Sequence, residues 1–233
     1  SSTDGYAHFL LVKLVTCLYK QEKYQEAIRY CKQGYKLYPG FPDMHYYYGI
    51  CLMKTGQLNK AKKILSRGIK PELETNSYIS QSGCGSYLNL FALGQIEETS
   101  GNYQIALGYF LSALRLQPSR HSFLRSLVRA LLKSGMDFRT YLTQNNLLTK
   151  EYVYTIADTL FKLDYHCLVL EISSEQKNAA ELEQQVVNWQ LQFVKSQSLL
   201  RIGKYQEVLT VLDRIPHDNA QKKDALVYSW ISA

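Results

Sequence analysis

Small residues held at fixed spacings from aromatic ones constrain this chain more than any other feature. In the stretch from Tyr87 to Arg120, the residues Leu90, Leu93, Gly94, Gly101, Tyr103, Ala106, Phe110, Ala113 and Pro118 fall at the spacings of one 34-residue two-helix unit. Gly94 and Ala106 are small where two helices must cross closely. Gly101 ends the first helix through a left-handed residue, and Asn102 adds a second turn-former. Tyr103 and Phe110 fill the space between the helices, and Pro118 stops the second one.

The same spacing extends in both directions. Counting back from Pro39 starts a first unit at His8, with Leu11, Leu14, Val15 and Leu18 as its predicted apolar face at i, i+3, i+4 and i+7. Tyr24, Ala27, Cys31 and Gly34 then take the places of Tyr103, Ala106, Phe110 and Ala113, and Lys20-Gln21-Glu22-Lys23 makes the turn without a glycine. A second unit starts at Pro42, with Gly49, Gly56, Ala61, Leu65 and Gly68 as landmarks. From Pro42 to Tyr87 is 11 residues more than one period, which places an insertion at 71–86. Its Ser, Asn and Gly content reads as a loop, anchored by Tyr78 and Ile79. A fourth unit begins at His121, with Leu124, Leu127, Val128 and Leu131 as its inner face and Gly135 as its turn.

Beyond that the pattern weakens. Thr140 stands where a small alanine is expected, and Asn145-Asn146 breaks the second helix early. The regular units are therefore 8–41, 42–75, 87–120 and 121–148, followed by degenerate helical pairs at 149–172 and 181–216 and a capping helix at 220–231 whose Trp230 covers the final repeat. The core of the first degenerate pair is predicted at Ile156, Ala157, Leu160 and Leu163; Val208, Leu212 and Ile215 complete the second. No strand alternation appears. The landmark set resembles the tetratricopeptide repeat. The expected fold is all-α: a single right-handed superhelix of antiparallel helix pairs spanning 1–233.

Composition narrows the function. Hydrophobic residues make up 46% of the chain, as in folded proteins, and no segment approaches the ~18 unbroken apolar residues of a membrane helix. The start, SSTDGYAHFL, has no basic region followed by a long apolar core, so no signal peptide is read there. It also has no initiator methionine, so the chain reads as a fragment of a longer protein. Cys17, Cys31, Cys51, Cys84 and Cys167 are odd in number, widely spaced and without a C-x-x-C pair, which favours free thiols and a cytoplasmic setting. The charge of +7 is uneven: residues 1–70 carry 12 Lys/Arg against 4 Asp/Glu, and the remainder 15 against 16. No nucleic-acid-binding motif accompanies the basic end, so a solvated surface is read and no nucleic-acid partner.

Catalytic motifs are missing too. There is no D-x-D, H-E-x-x-H or G-x-S-x-G, and His8, His45, His121, His166 and His217 are scattered through different elements. No catalytic, metal or cofactor residue is assigned. Gly83-Cys84-Gly85-Ser86 leads into a helix like a phosphate loop, but no strand precedes it and no lysine follows. The expected role is a turn closed by a Ser86 cap.

What remains is the groove. Stacked pairs turn their first helices to a concave face, with positions 2, 5, 9 and 12 of each unit facing it. Those positions give Tyr46 and Met53 in the second unit, Phe91, Gln95 and Glu98 in the third, and Arg125 and Arg129 in the fourth, with Lys133 continuing the arginine row. Arginine forks grip carboxylates and rings cover apolar stems, so the set suits an extended peptide. Of the neighbours Tyr46, Tyr47 and Tyr48, at least one is expected to be exposed, because three consecutive helical residues cannot share a face.

The order FPDMHYYYGICLMKTGQLNKAKKILSRGIK, then YISQSGCGSYLNLFALGQIEETSGNYQIALGYFLSALRLQP, resembles the tail of some bacterial family 2 glycosyltransferases. Gly83, Gly85, Ser86 and Tyr87 match the G-x-G-S-Y loop between two repeats of that tail. The resemblance covers roughly residues 8–135. It implies a catalytic nucleotide-sugar domain N-terminal to this chain and a tail that holds an acceptor polypeptide or partner. The competing readings are a cytoplasmic peptide-sensing regulator, a structural scaffold and, least supported by motif, a complete enzyme.

Overall fold

The computed structural model describes residues 6–69, 80–175 and 189–212, and among them every regular element is a helix. The chain divides into two compact units, Ser1–Ser134 and Gly135–Ala233. In the first lie α1 (Ala7–Lys20), α2 (Tyr24–Leu37), α3 (Pro42–Lys54), α4 (Leu58–Arg67), α5 (Tyr87–Thr99), α6 (Tyr103–Leu116) and α7 (His121–Lys133). The second contains α8 (Phe138–Gln144), α9 (Val153–Lys162), α10 (His166–Glu175), α11 (Trp189–Arg201) and α12 (Tyr205–Leu212).

In the first unit each helix packs on the next in sequence, and α1, α3 and α5 also touch one another in turn. Small residues set that spacing. A Cβ on Gly94 of α5 would overlap the Phe110 ring of α6, and one on Gly49 of α3 would overlap Leu65 of α4. Phe110, Leu65, Ala61 and Ala106 are fully buried. Burying one such phenylalanine contributes roughly 2–3 kcal/mol.

The helix turns share one device. Gly56 (φ 74) and Gly101 (φ 80) are left-handed, and Glu22 (φ 60) takes the same conformation in the turn without a glycine. In each, the next amide reaches back across the turn: Gln57 N–H donates to Leu52 O, Asn102 N–H to Glu97 O and Lys23 N–H to Leu18 O, all at 2.9 Å. This closes the helix C-terminus. A carboxylate side chain thus does a glycine's job at Glu22, at a conformational cost of about 1 kcal/mol.

Several expectations need correction. On α1 the buried residues are Val12, Val15 and Leu18, with Leu11 half-buried; Leu14 is 40% exposed. Leu14 points to the side on which α3, α5 and α7 each meet a preceding helix. Ser86 stands at the N-cap of α5 without capping it, and its hydroxyl donates to Gly83 O at 3.4 Å. The turn is held by Gly83 (φ 92) and Gly85 (φ 89) and by the Tyr87 hydroxyl, which donates to Ser82 O at 3.1 Å. None of the three consecutive tyrosines is exposed. Each finds its own neighbour: Tyr48 lies edge-on to Tyr35 of α2, Tyr47 donates to Gln81 Oε1 at 2.8 Å, and Tyr46 lies edge-on to Tyr47.

In the second unit Ile156, Ala157 and Leu160 are fully buried as expected, but Leu163 is 39% exposed. The helix α9 has ended by then, and Asp164 (φ 62) makes the turn into α10. Leu199, Val208 and Val211 form a small core with Leu170, Leu200 and Leu212. Asn146 (φ 55) follows the seven-residue α8, in keeping with the early break. The anchors Tyr78 and Ile79, the span 181–188, Ile215 and the helix expected at 220–231 with Trp230 lie outside the described residues. No helix among the described residues is long and apolar enough to cross a membrane. The five cysteines are free thiols, with Cys31, Cys51 and Cys84 buried and Cys17 and Cys167 exposed.

Candidate functional site

Local amphipathicity places the basic row. On α7 Phe123, Leu124, Leu127, Val128 and Leu131 are buried, which leaves Arg125, Arg129 and Lys133 exposed at i, i+4 and i+8. Arg129 Nη2 donates to Ser126 Oγ at 3.1 Å, and Arg125 has no carboxylate partner among the described residues. Lys133 reaches across to α5, 4.0 Å from Glu98, and lies 5.8 Å from the Tyr103 ring centre. On α5 Phe91 is half-buried, its ring 4.5 Å from Phe123 and 5.5 Å from Phe110. Gln95 is half-buried between Phe91 and Glu98 on the same helix.

The α5 and α7 members of the expected set therefore come together: a ring cluster at one end, an ion pair at the other, and two arginines between with their guanidinium groups exposed. Tyr46 and Met53 sit differently. Both are half-buried and pack against the core of α1 to α5. Burial raises the Tyr46 hydroxyl well above the usual tyrosine range, with Cys84 and Tyr47 adding to it and Arg120 opposing.

Other residues near this face gave no signal in the sequence. Asp43 on α3 is 1% exposed, and its carboxylate accepts the Gln81 N–H at 3.0 and 3.2 Å. The described end of the insertion is thus pinned at a groove position of α3, where Tyr47 adds its bond to Gln81. Cys84 is buried beside Asp43, and burial, with that carboxylate, pushes its thiol far up. Arg120 lies over the Tyr87 ring at 5.4 Å and the Phe123 ring at 5.8 Å. It carries its charge next to the ring cluster. An aspartate early in a helix and an arginine just ahead of one are ordinary in sequence, so only the fold reveals these roles. No group of three or more His, Cys, Asp or Glu able to hold a metal ion occurs among the described residues.

Against this geometry, models described as tetratricopeptide repeat match residues 18–79 and 91–135. These segments are tetratricopeptide repeats. Two solved structures share the fold. The structure of pilF from Pseudomonas aeruginosa is 13% identical, the match covering 91% of each chain with a TM-score of 0.51. Tetratricopeptide-like repeats of a putative kinesin light chain from Podosopora anserina are 14% identical over 97% of each chain, also with a TM-score of 0.51. A third, Naa15/Naa10 bound to HypK-THB, is 14% identical with a TM-score of 0.43; the match covers 89% of this chain and only 31% of that one. A search of curated proteins finds no match. Tetratricopeptide repeats are protein-interaction modules, and on the α5–α7 face of this chain Arg125 and Arg129 are exposed near the Phe91 and Phe123 rings.

Proposed function

We propose that this chain is a non-catalytic protein- or peptide-binding tetratricopeptide domain, working in the cytoplasm, whose α5–α7 face holds an extended acidic segment. The observation that carries the reading is the exposed row Arg125, Arg129 and Lys133 beside Phe91 and Arg120. Guanidinium forks suit carboxylates, and the adjacent rings suit the apolar stems between them. Glu98 shares Lys133, so Arg125 and Arg129, which have no carboxylate partner among the described residues, are the ones assigned to ligand.

The G-x-G-S-Y loop supports a finer reading, in which the chain is the accessory tail of a bacterial glycosyltransferase and the bound segment is the acceptor polypeptide or a partner. Gly83 and Gly85 are both left-handed there, and Tyr87 folds over Gly83, so those residues specify this loop conformation. The test compares the chain with its Arg125→Glu/Arg129→Glu variant at matched helical signal. Capture of the partner is lost in the variant; unchanged capture contradicts the reading. Adding a nucleotide sugar to the isolated chain gives no transfer, and turnover would overturn the non-catalytic assignment.

A further inference from the structure

The second helices of the first three pairs, α2, α4 and α6, carry charge and apolar side chains that the groove does not use. On α2, Arg29, Lys32 and Lys36 are exposed, and on α4 so are Lys60, Lys63 and Arg67. The two sets adjoin, because Arg67 Nη1 donates to the Tyr35 hydroxyl of α2 at 3.2 Å. Carboxylates are nearly missing from these helices: α2 contains Glu26, and neither α4 nor α6 contains an Asp or Glu. Half of the 12 Lys/Arg of residues 1–70 are thus gathered on the face opposite the groove with little to offset them.

The α6 helix continues that face in apolar form. Its Tyr109 packs against the core of α1 to α5 and lies close enough to Lys62 of α4 for the two to interact. Exposed along α6 are Ile105, Gly108, Ser112 and Leu116, at i, i+3, i+7 and i+11, so two large apolar side chains project past small ones. Ile105 is 53% exposed and Leu116 55%. Leu37, 68% exposed, holds in α2 the repeat position that Leu116 holds in α6. One exposed leucine is ordinary; three large apolar side chains on a face with six cations are not.

We propose that this outer face docks on an anionic lipid surface, with the α2 and α4 cations against the headgroups and Leu37, Ile105 and Leu116 entering the interfacial layer. Four of the six cations are lysines, point charges that suit a field of headgroups better than one fixed bidentate pairing. The apolar side chains separate lipid from nucleic acid: they gain nothing on a hydrated phosphate backbone but bury area at the headgroup boundary. The inference is independent of the α5–α7 groove.

Co-sedimentation of the full chain with phosphatidylcholine vesicles, with and without phosphatidylserine, tests it. Binding is expected to the anionic vesicles alone, falling steeply as salt rises. Lys32→Glu/Lys36→Glu/Lys63→Glu lowers it by about tenfold or more, and Ile105→Ser/Leu116→Ser by about threefold or more. All five side chains are exposed, so both variants keep the parent's helical signal. The Arg125→Glu/Arg129→Glu variant keeps vesicle binding, which separates this face from the groove. Equal affinity for the two kinds of vesicle, including none for either, would overturn the proposal, as would equal binding by the parent and the lysine variant. So would unchanged vesicle binding by Ile105→Ser/Leu116→Ser, or duplex RNA bound as tightly at the same salt, either of which would make the face a general polyanion site.

Discussion

The Lys62 ammonium of α4 forms an ion pair with the Glu97 carboxylate of α5, although Glu97 has a side chain only 2% exposed. The Asn102 amide, two residues into the turn, donates to the other carboxylate oxygen at 2.8 Å. One acid thereby ties the second repeat to the third and fixes the turn that follows α5. Burial would raise the Glu97 pKa, but Lys62 and Asn102 outweigh it and the net direction is down.

Removing the cation therefore strands a buried charge. Lys62→Met is expected to lower stability by about 1–2 kcal/mol, less than for a fully buried pair because Lys62 is 47% exposed. The sign with pH follows. The folded pKa lies below the unfolded value near 4.5, so the contribution is complete above that value and is lost as pH falls through the folded one. Urea melts between neutral and acidic pH should show a shallower acid loss in Lys62→Met than in the parent chain.

Two glycines on facing helices should respond oppositely to alanine. Gly94→Ala places a Cβ into the Phe110 ring and is expected to cost about 1–3 kcal/mol. Gly108, in the middle of α6, has nothing within 4 Å of an added Cβ, so Gly108→Ala should stabilise by about 0.5–1 kcal/mol. Thermal melts of the two variants decide it.

The turn at Glu22 gives a third expectation. Its φ of 60 is one that glycine adopts freely, so Glu22→Gly should be neutral to stabilising by about 0.5 kcal/mol. Gly56→Ala, at φ 74, should instead cost about 1 kcal/mol. Denaturant midpoints at constant m-value are the measurement.

The period was legible because its determinants are local. A left-handed turn residue, a small residue at a crossing and an apolar stripe each show within a few residues. The basic row of α7 was legible for the same reason. Partners distant in sequence were hidden: Asp43 with Gln81, Lys62 with Glu97, and Arg120 over two rings depend on which elements the fold brings together. Leu14 misled for a related cause. Its spacing fits an apolar face, but that face is the one through which later repeats meet a preceding helix. The three tyrosines escaped exposure because α2 and the end of the insertion supply surfaces that a single-helix argument omits.

Groove binding should carry an electrostatic signature. Arg125 and Arg129 lie on an exposed helix face, so their contribution weakens with ionic strength. Raising salt should weaken ligand binding by the parent chain more than by Arg125→Gln/Arg129→Gln, read as the slope of affinity against salt.

The most direct measurement of the central claim is selection of random extended peptides on the intact chain, followed by titration of the enriched peptide against the parent and Arg125→Glu/Arg129→Glu chains. The account predicts enrichment of acidic residues interspersed with apolar ones, and an affinity loss of about tenfold or more in the variant. Enrichment of neutral or basic peptides, or equal affinity for both chains, would contradict it.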